Sequence, residues 1–243
     1  MPPENRLLRS LHQVAGLCPP LLKGYRDLKA WAMRDMLANA IFRKVFDRGR
    51  LTLPEIEAEK VSPAADSILL PVLYPLFAGE DAPLNDVLFL MNAAKGRKAR
   101  RILEVGTYRA RTTYGLHINC PDATLVSYDI QVIDCDYRRR LEAAPNVELR
   151  LGSFAAAAAT LRQEPKYDLI FVDGSHQVGA VIEDSRLALE LVAPGGLIVW
   201  HDYRPNDYFT AELRVPEGLQ VIARDHQVFA VPGTMCAVYF QPS

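Results

Sequence analysis

Two short stretches set acids and imidazoles at close spacing. Residues 171–176 (FVDGSH) end an apolar run with Asp173 and His176, and residues 199–203 (VWHDY) end another with His201 and Asp202. Carboxylate oxygens suit hard divalent cations, while an imidazole shifts preference toward Mn, Fe, Co or Zn. An imidazole that titrates near neutrality is also a proton acceptor. If the two runs are adjacent strands, the four side chains converge. Taken singly, each histidine reads equally well as a hydrogen-bonded structural residue; it is the cluster at one edge that favours function.

A third stretch, residues 102–113 (ILEVGTYRARTT), passes from a strand through a glycine into a polar helix start. Nucleotide sites of α/β proteins are built this way. A dinucleotide fingerprint wants three glycines so that the backbone can approach a pyrophosphate. Here those positions read Gly106, Tyr108 and Arg111, and no Gly-Lys-Ser/Thr loop occurs. The missing glycines disfavour NAD chemistry. One glycine still admits a smaller, uncharged part of a ligand, and Glu104 beside it suits a cationic or hydrogen-bond-donating group. Asp129, 25 residues further on in LVSYDI, can accept hydrogen bonds from ribose hydroxyls. A tight turn without ligand and a helix-capping or loop acid are the plainer alternatives.

These residues need a scaffold that collects strand ends. Strands are predicted at 101–105, 124–130, 147–152, 167–173 and 197–201, with helices at 112–119, 137–144, 155–162 and 178–191 between them. That alternation predicts a parallel sheet covered on both faces, with ligands bound beyond the carboxyl ends of its strands. Those ends are 104–106, Asp129, 152–153, 173–176 and 201–202, and four of the five carry a carboxylate. Residues 219–223 and 235–240 read as two further strands without a helix between them, a hairpin at the sheet edge. A helix is expected to end at Gly96 just before the first strand.

The remaining sequence bounds the class. The 243 residues are 49% hydrophobic and 23% charged, with a net charge of −1, ordinary for a globular protein and offering nothing general to a polyanion. No apolar run is long enough to span a membrane, and the charged first residues (Glu4, Arg6, Arg9) lack a signal-peptide core. Four scattered cysteines form no CxxC pair, so a reducing cytoplasm is the expected location. Ten Lys/Arg against four Asp/Glu in residues 1–50 leave that segment at +6 and the rest at −7. Acids interrupt the run and no aromatic–basic alternation appears, so it reads as solvated faces of helices at 4–16 and 20–48 rather than as a nucleic-acid arm. The proline-rich stretch 68–77 (ILLPVLYPLF) is expected as a loop or short helix over a site or against a second subunit. The expected division is a helical extension at 1–82, for homo-oligomerisation or substrate cover, and a ligand-binding domain at 83–243.

At this point the sequence resembles a known family. RILEVGTYRARTT, LVSYDI and YDLIFVDGSHQVGAVIEDSRLALELVAPGGLIVWHDY are similar to class I S-adenosylmethionine-dependent methyltransferases, most of all to a bacterial group with the patterns E-[IV]-G-T-[YF]-x-G-x-[ST]-T, F-[IV]-D-G-x-H and G-G-x-[IL]-x-x-H-D. The resemblance covers about residues 83–243. It implies a doubly wound, mostly parallel seven-stranded Rossmann-like sheet with the last strand antiparallel. It implies S-adenosylmethionine as cofactor, with Glu104 anchoring its amino end and Gly106, Thr107 and Tyr108 bordering its methionine part. Asp129 would take the ribose hydroxyls, Ser153 and Phe154 would lie near the adenine, and Asp173 would close the site. The family's later glycine falls at Ala110. In catechol-type and macrolide-sugar O-methyltransferases a divalent ion such as Mg or Mn is held at the positions of Asp173, His201 and Asp202. His201 stands in place of an acid there, and His176 in place of the catechol-type lysine base.

The reaction so implied is O-methylation of a small-molecule hydroxyl, with His176 or else His201 as base and residues 203–217, including Tyr203, Arg204, Tyr208 and Phe209, as a substrate wall. Two alternatives stay open: a metal-dependent hydroxylase on a related sheet, and a non-catalytic cofactor-binding or assembly protein.

Overall fold

A strand covered on both faces must carry apolar side chains on both, and the central strands of this chain do so. The computed structural model describes residues 53–70, 82–203 and 214–243. Numbered among these, the elements run α1 (Ala58–Val61), α2 (Leu84–Gly96), β1 (Arg101–Val105), α3 (Arg111–Asn119), β2 (Thr124–Asp129), α4 (Asp136–Glu142), β3 (Val147–Leu151), a 3₁₀ turn (Ala155–Ala157) leading into α5 (Ala158–Leu161), β4 (Tyr167–Val172), α6 (Val178–Leu191), β5 (Val192–Trp200), α7 (Val215–Ile222), β6 (Val228–Ala230) and β7 (Ala237–Phe240). The predicted helices at 4–16 and 20–48 lie outside the described residues, as does most of the stretch 68–77.

The strands form one seven-stranded sheet in the order β3-β2-β1-β4-β5-β7-β6. The first five are parallel, and β7 runs antiparallel to both β5 and β6. Period-two alternation divides the side chains between two cores. Leu103, Val105, Ile170, Val172, Ile198 and Trp200 face α6 and α7. Ile102, Leu169, Phe171, Leu197 and Val199 face the other way, onto Leu90 and Met91 of α2 and Leu116 of α3. The same parity carries past the strand ends. Glu104, Asp173 and His201 therefore project toward the α2 side, which decides what can touch them.

The segment predicted as a strand at 219–223 is helical. Val215, Leu219 and Ile222 are all buried, at the i, i+4, i+7 spacing of one helix face. Gly218 lets this helix lie close on α6: a Cβ there would come 2.5 Å from Val181 Cγ1. The edge hairpin exists, but its first strand is Val228–Ala230. Outside it, residues 54–56 lie alongside β6. Ile56 donates its backbone N–H to Ala230 O (2.9 Å), and Ala230 donates to Pro54 O (2.8 Å).

Candidate active site

The carboxyl edge of the sheet begins at β1, where Glu104 is fully buried. Its Oε2 accepts from Thr113 Oγ1 (2.5 Å) and Ser127 Oγ (2.6 Å), while its Oε1 is buried without a partner. Burial pushes its carboxyl up to about 8. The Ser127 and Thr113 hydroxyls oppose that rise, and the charges of Asp173 and Asp129 add to it. Ser127 also pairs with the hydroxyl of buried Thr107 (2.6 Å), so strands β1 and β2 join through a knot of short polar contacts. A buried carboxyl oxygen without a partner is a polar group left open to a ligand.

Gly106 has a reason independent of any ligand. Its φ is +101°, and a Cβ there would sit 2.0 Å from the Asp173 carbonyl oxygen. The glycine is thus what allows the ends of β1 and β4 to close on each other, sealed by the Asp173 N–H donating to Val105 O (2.8 Å). Beyond it, Tyr108 and Ala110 both take positive φ (43° and 57°), a conformation that costs a non-glycine residue about 1–2 kcal/mol. The strained turn is clamped by Asp129, whose Oδ2 accepts the Tyr108 N–H (2.6 Å) and whose Oδ1 accepts the Gln131 N–H (3.0 Å). Of the pair at the end of β3, Phe154 is buried with its ring toward Tyr128 (centroids 6.0 Å apart) and Ser153 is exposed. Only Ser153 is open to a ligand there.

Asp173, His176, His201 and Asp202 do converge. His201 Nδ1 lies 3.2 Å from Asp173 Oδ1 and 3.4 Å from Asp202 Oδ1, yet it is aligned for a hydrogen bond to neither. His176 Nε2 lies 2.9 Å from Asp202 Oδ2 and 3.9 Å from Asp173 Oδ1, again without that alignment. Asp202 has φ +56°, a third strained residue at this edge.

The donor set fits a divalent ion. One atom each from Asp173, His201 and Asp202 can be chosen with all three within 4.8 Å of one another. Ligand atoms about 2.1 Å from an ion are roughly 3.0 Å apart along an octahedron's edge and about 3.4 Å in a tetrahedron, close to the two His201 separations. Metal-free, the cluster is a charge network. The carboxylates of Asp173 and Asp202 raise the His176 imidazole to about 9 against its burial. Burial resists charge on His201, but the two aspartates outweigh it and hold its pKa well above the ordinary range. Burial likewise resists charge on Asp202, and His201 with His176 reverses that effect, holding its carboxyl far below its usual range.

One expectation from the sequence needs amendment. Tyr203 is buried, its hydroxyl accepting the Leu53 N–H (2.8 Å), so it belongs to the core rather than to a substrate wall. Arg204, Tyr208 and Phe209 lie outside the described residues. One residue escaped the sequence reading: Asp86 on α2, buried at 3% exposure, whose Oδ2 lies 2.9 Å from His201 Nε2. Its signal was an acid on an apolar stripe, one helical turn from Leu90 and two from Ala93.

Comparison with known proteins bears on the domain and the fold. Residues 87–203 match the methyltransferase domain family. An O-methyltransferase from Bacillus cereus in complex with S-adenosylhomocysteine is 22% identical over 68% of this chain and 84% of its own, with a TM-score of 0.55. S-adenosylhomocysteine-bound PaMTH1 of Podospora anserina is 19% identical over 76% and 92%, with a TM-score of 0.56. TomG of Streptomyces achromogenes, an O-methyltransferase of tomaymycin synthesis in complex with S-adenosylmethionine, is 22% identical over 66% and 81%, with a TM-score of 0.52. At these identities the structural likeness establishes the fold. No curated protein matches the chain by sequence. Family match and strand order agree: residues 87–203 are a match to the methyltransferase domain family, carried on a Rossmann-like methyltransferase fold.

Proposed function

We propose that the protein O-methylates a hydroxyl of a small molecule, with a divalent cation held by Asp173, His201 and Asp202 and with His176 as the base. The observation that carries this reading is the convergence of two acids and two imidazoles beside the Glu104–Gly106 turn, at one edge of the sheet. The O-methyltransferases of like fold bound to S-adenosylmethionine or its demethylated product support it.

A sulfonium cofactor supplies an already activated methyl group, so the protein's task is alignment and proton removal. Glu104 Oε1 is the acceptor offered to the cofactor's ammonium group. The Gly106–Tyr108 backbone borders the methionine part, and Asp129 turns its spare lone pairs to the ribose. The Nε2 of His176, facing Asp173 and Asp202, takes the acceptor's hydroxyl proton. Asp173, His201 and Asp202 would hold a divalent cation there, and its charge would lower the pKa of that hydroxyl and oppose the proton already on the imidazole.

The test is methyl transfer from labelled S-adenosylmethionine to a panel of hydroxyl, amine and thiol acceptors. Hydroxyl acceptors are expected to turn over. His176→Ala is expected to lose about 10²–10⁴-fold in kcat while calorimetric binding of S-adenosylhomocysteine is kept. Transfer confined to amines or thiols would end the O-methylation reading, and undiminished turnover in the variant would remove His176 from the mechanism.

A further inference from the structure

His201 is gripped from both sides. Its Nδ1 faces the oxygens of Asp173 and Asp202, and its Nε2 lies 2.9 Å from Asp86 Oδ2. Asp86 has no freedom to do otherwise. It is 3% exposed, sits on α2, and its second oxygen, Oδ1, accepts the backbone N–H of Met235 at 2.9 Å. A carboxylate only accepts hydrogen bonds, so the hydrogen between Asp86 and a neutral His201 ring must ride on Nε2. The lone pair is then on Nδ1, directed at the Asp173–Asp202 pair.

We propose that Asp86 is a positioning residue that holds His201 in its Nε2–H form, makes Nδ1 a metal ligand, and thereby selects a borderline ion of the Mn, Fe, Co or Zn class over Mg. This rests on the cation site of the preceding reading. Three oxygen donors suit Mg, whereas an imidazole nitrogen in the set moves preference along the first transition row. A carboxylate behind a ligating histidine fixes ring orientation and raises ligand basicity, and its loss typically weakens metal binding about 10–100-fold.

The neighbours of Asp86 make one substitution especially informative. Asp86→Asn keeps the shape but leaves one acceptor for two donors. The Met235 N–H belongs to the backbone and cannot become an acceptor, so the amide oxygen stays with it. The new NH₂ then faces His201 Nε2, which must accept, and the ring proton moves to Nδ1, where the ion would bind.

The experiment uses the full-length protein, with Co²⁺, Zn²⁺ and Mg²⁺ as probes. The wild type is expected to bind Co²⁺ more tightly than Mg²⁺ by calorimetry. In ¹⁵N spectra of the Zn²⁺-loaded protein, His201 is expected to carry its proton on Nε2 and the metal on Nδ1. Asp86→Asn is expected to bind Co²⁺ about 10–100-fold more weakly and to lower the Co²⁺-to-Mg²⁺ affinity ratio, with thermal denaturation showing that the variant is folded. Metal binding with an unchanged ratio in Asp86→Asn, or wild-type spectra with His201 free of the metal or ligating through Nε2, would overturn the role of Asp86 and leave the cation site standing. Absence of any metal binding to the wild type would overturn both. The wild-type spectra decide the question even if the variant does not fold.

Discussion

Glu104→Gln removes the ionisation of Glu104 and keeps its shape. The carboxyl's ordinary value is 4.5, and burial moves it in the folded protein to about 8. Between those values the folded chain holds a proton that the unfolded chain has released. The stabilisation is therefore complete below about 4.5 and is lost as pH rises through about 8. At about 1.4 kcal/mol per pH unit, the interval amounts to on the order of 5 kcal/mol. The variant carries a cost of its own, because an NH₂ replaces the unpartnered Oε1; that is about 1–3 kcal/mol, the same at every pH. The difference between the two proteins isolates the carboxyl from every other titrating group. The assay is urea unfolding followed by circular dichroism at pH 5, 6, 7, 8 and 9. Near pH 5 the wild type is expected to be the more stable. By pH 9 the comparison is expected to have swung toward Glu104→Gln by about 3–5 kcal/mol. Parallel stability curves would refute the reasoning, since a carboxyl ionising normally in the fold gives no swing.

Two substitutions in the turn that follows Glu104 have opposite expected signs. Gly106→Ala places a Cβ on the Asp173 carbonyl at positive φ and is expected to cost about 3 kcal/mol or more, read as a fall in Tm together with lost S-adenosylhomocysteine binding; unchanged Tm would contradict the closure of β1 on β4. Ala110→Gly relieves a left-handed alanine and, after the added flexibility of the unfolded chain, is expected to stabilise by about 0.5–1 kcal/mol. A lowered Tm in that variant would show that the alanine methyl contributes packing worth more than the strain.

Legibility in the sequence followed burial. The strand at 101–105 and the helix at 178–191 were readable to the residue because the first is buried on both faces, with only Glu104 interrupting its apolar run, and the second keeps a clear stripe. The helix Val215–Ile222 was misread because residues 219–223 (LQVIA), four of them apolar, read alone as a short strand, and length is what separates buried strands from buried helices. Asp173, His176, His201 and Asp202 were found because parallel topology gathers strand ends in one place. Asp86 was not, since 115 residues separate it from His201 and no periodicity links a helix residue to a particular strand end. At Gly106 the sequence suggested room for a ligand; the close approach of the Asp173 carbonyl was not legible, because that contact depends on how far β4 reaches past β1.

The two margins of the sheet are unequal. Along β3, Glu148 and Leu151 stand in solvent, a rail on which another strand could dock, guarded by the charged Glu148–Arg150 pair. At the far margin the three-residue β6 is already occupied by residues 54–56, so pairing between copies is discouraged there by the chain's own backbone. The strap also ties two distant parts of the polypeptide: Leu53 grips the hydroxyl of Tyr203, the very next residue after Asp202. The loop bearing the acid is therefore tied to Leu53 through a single side chain.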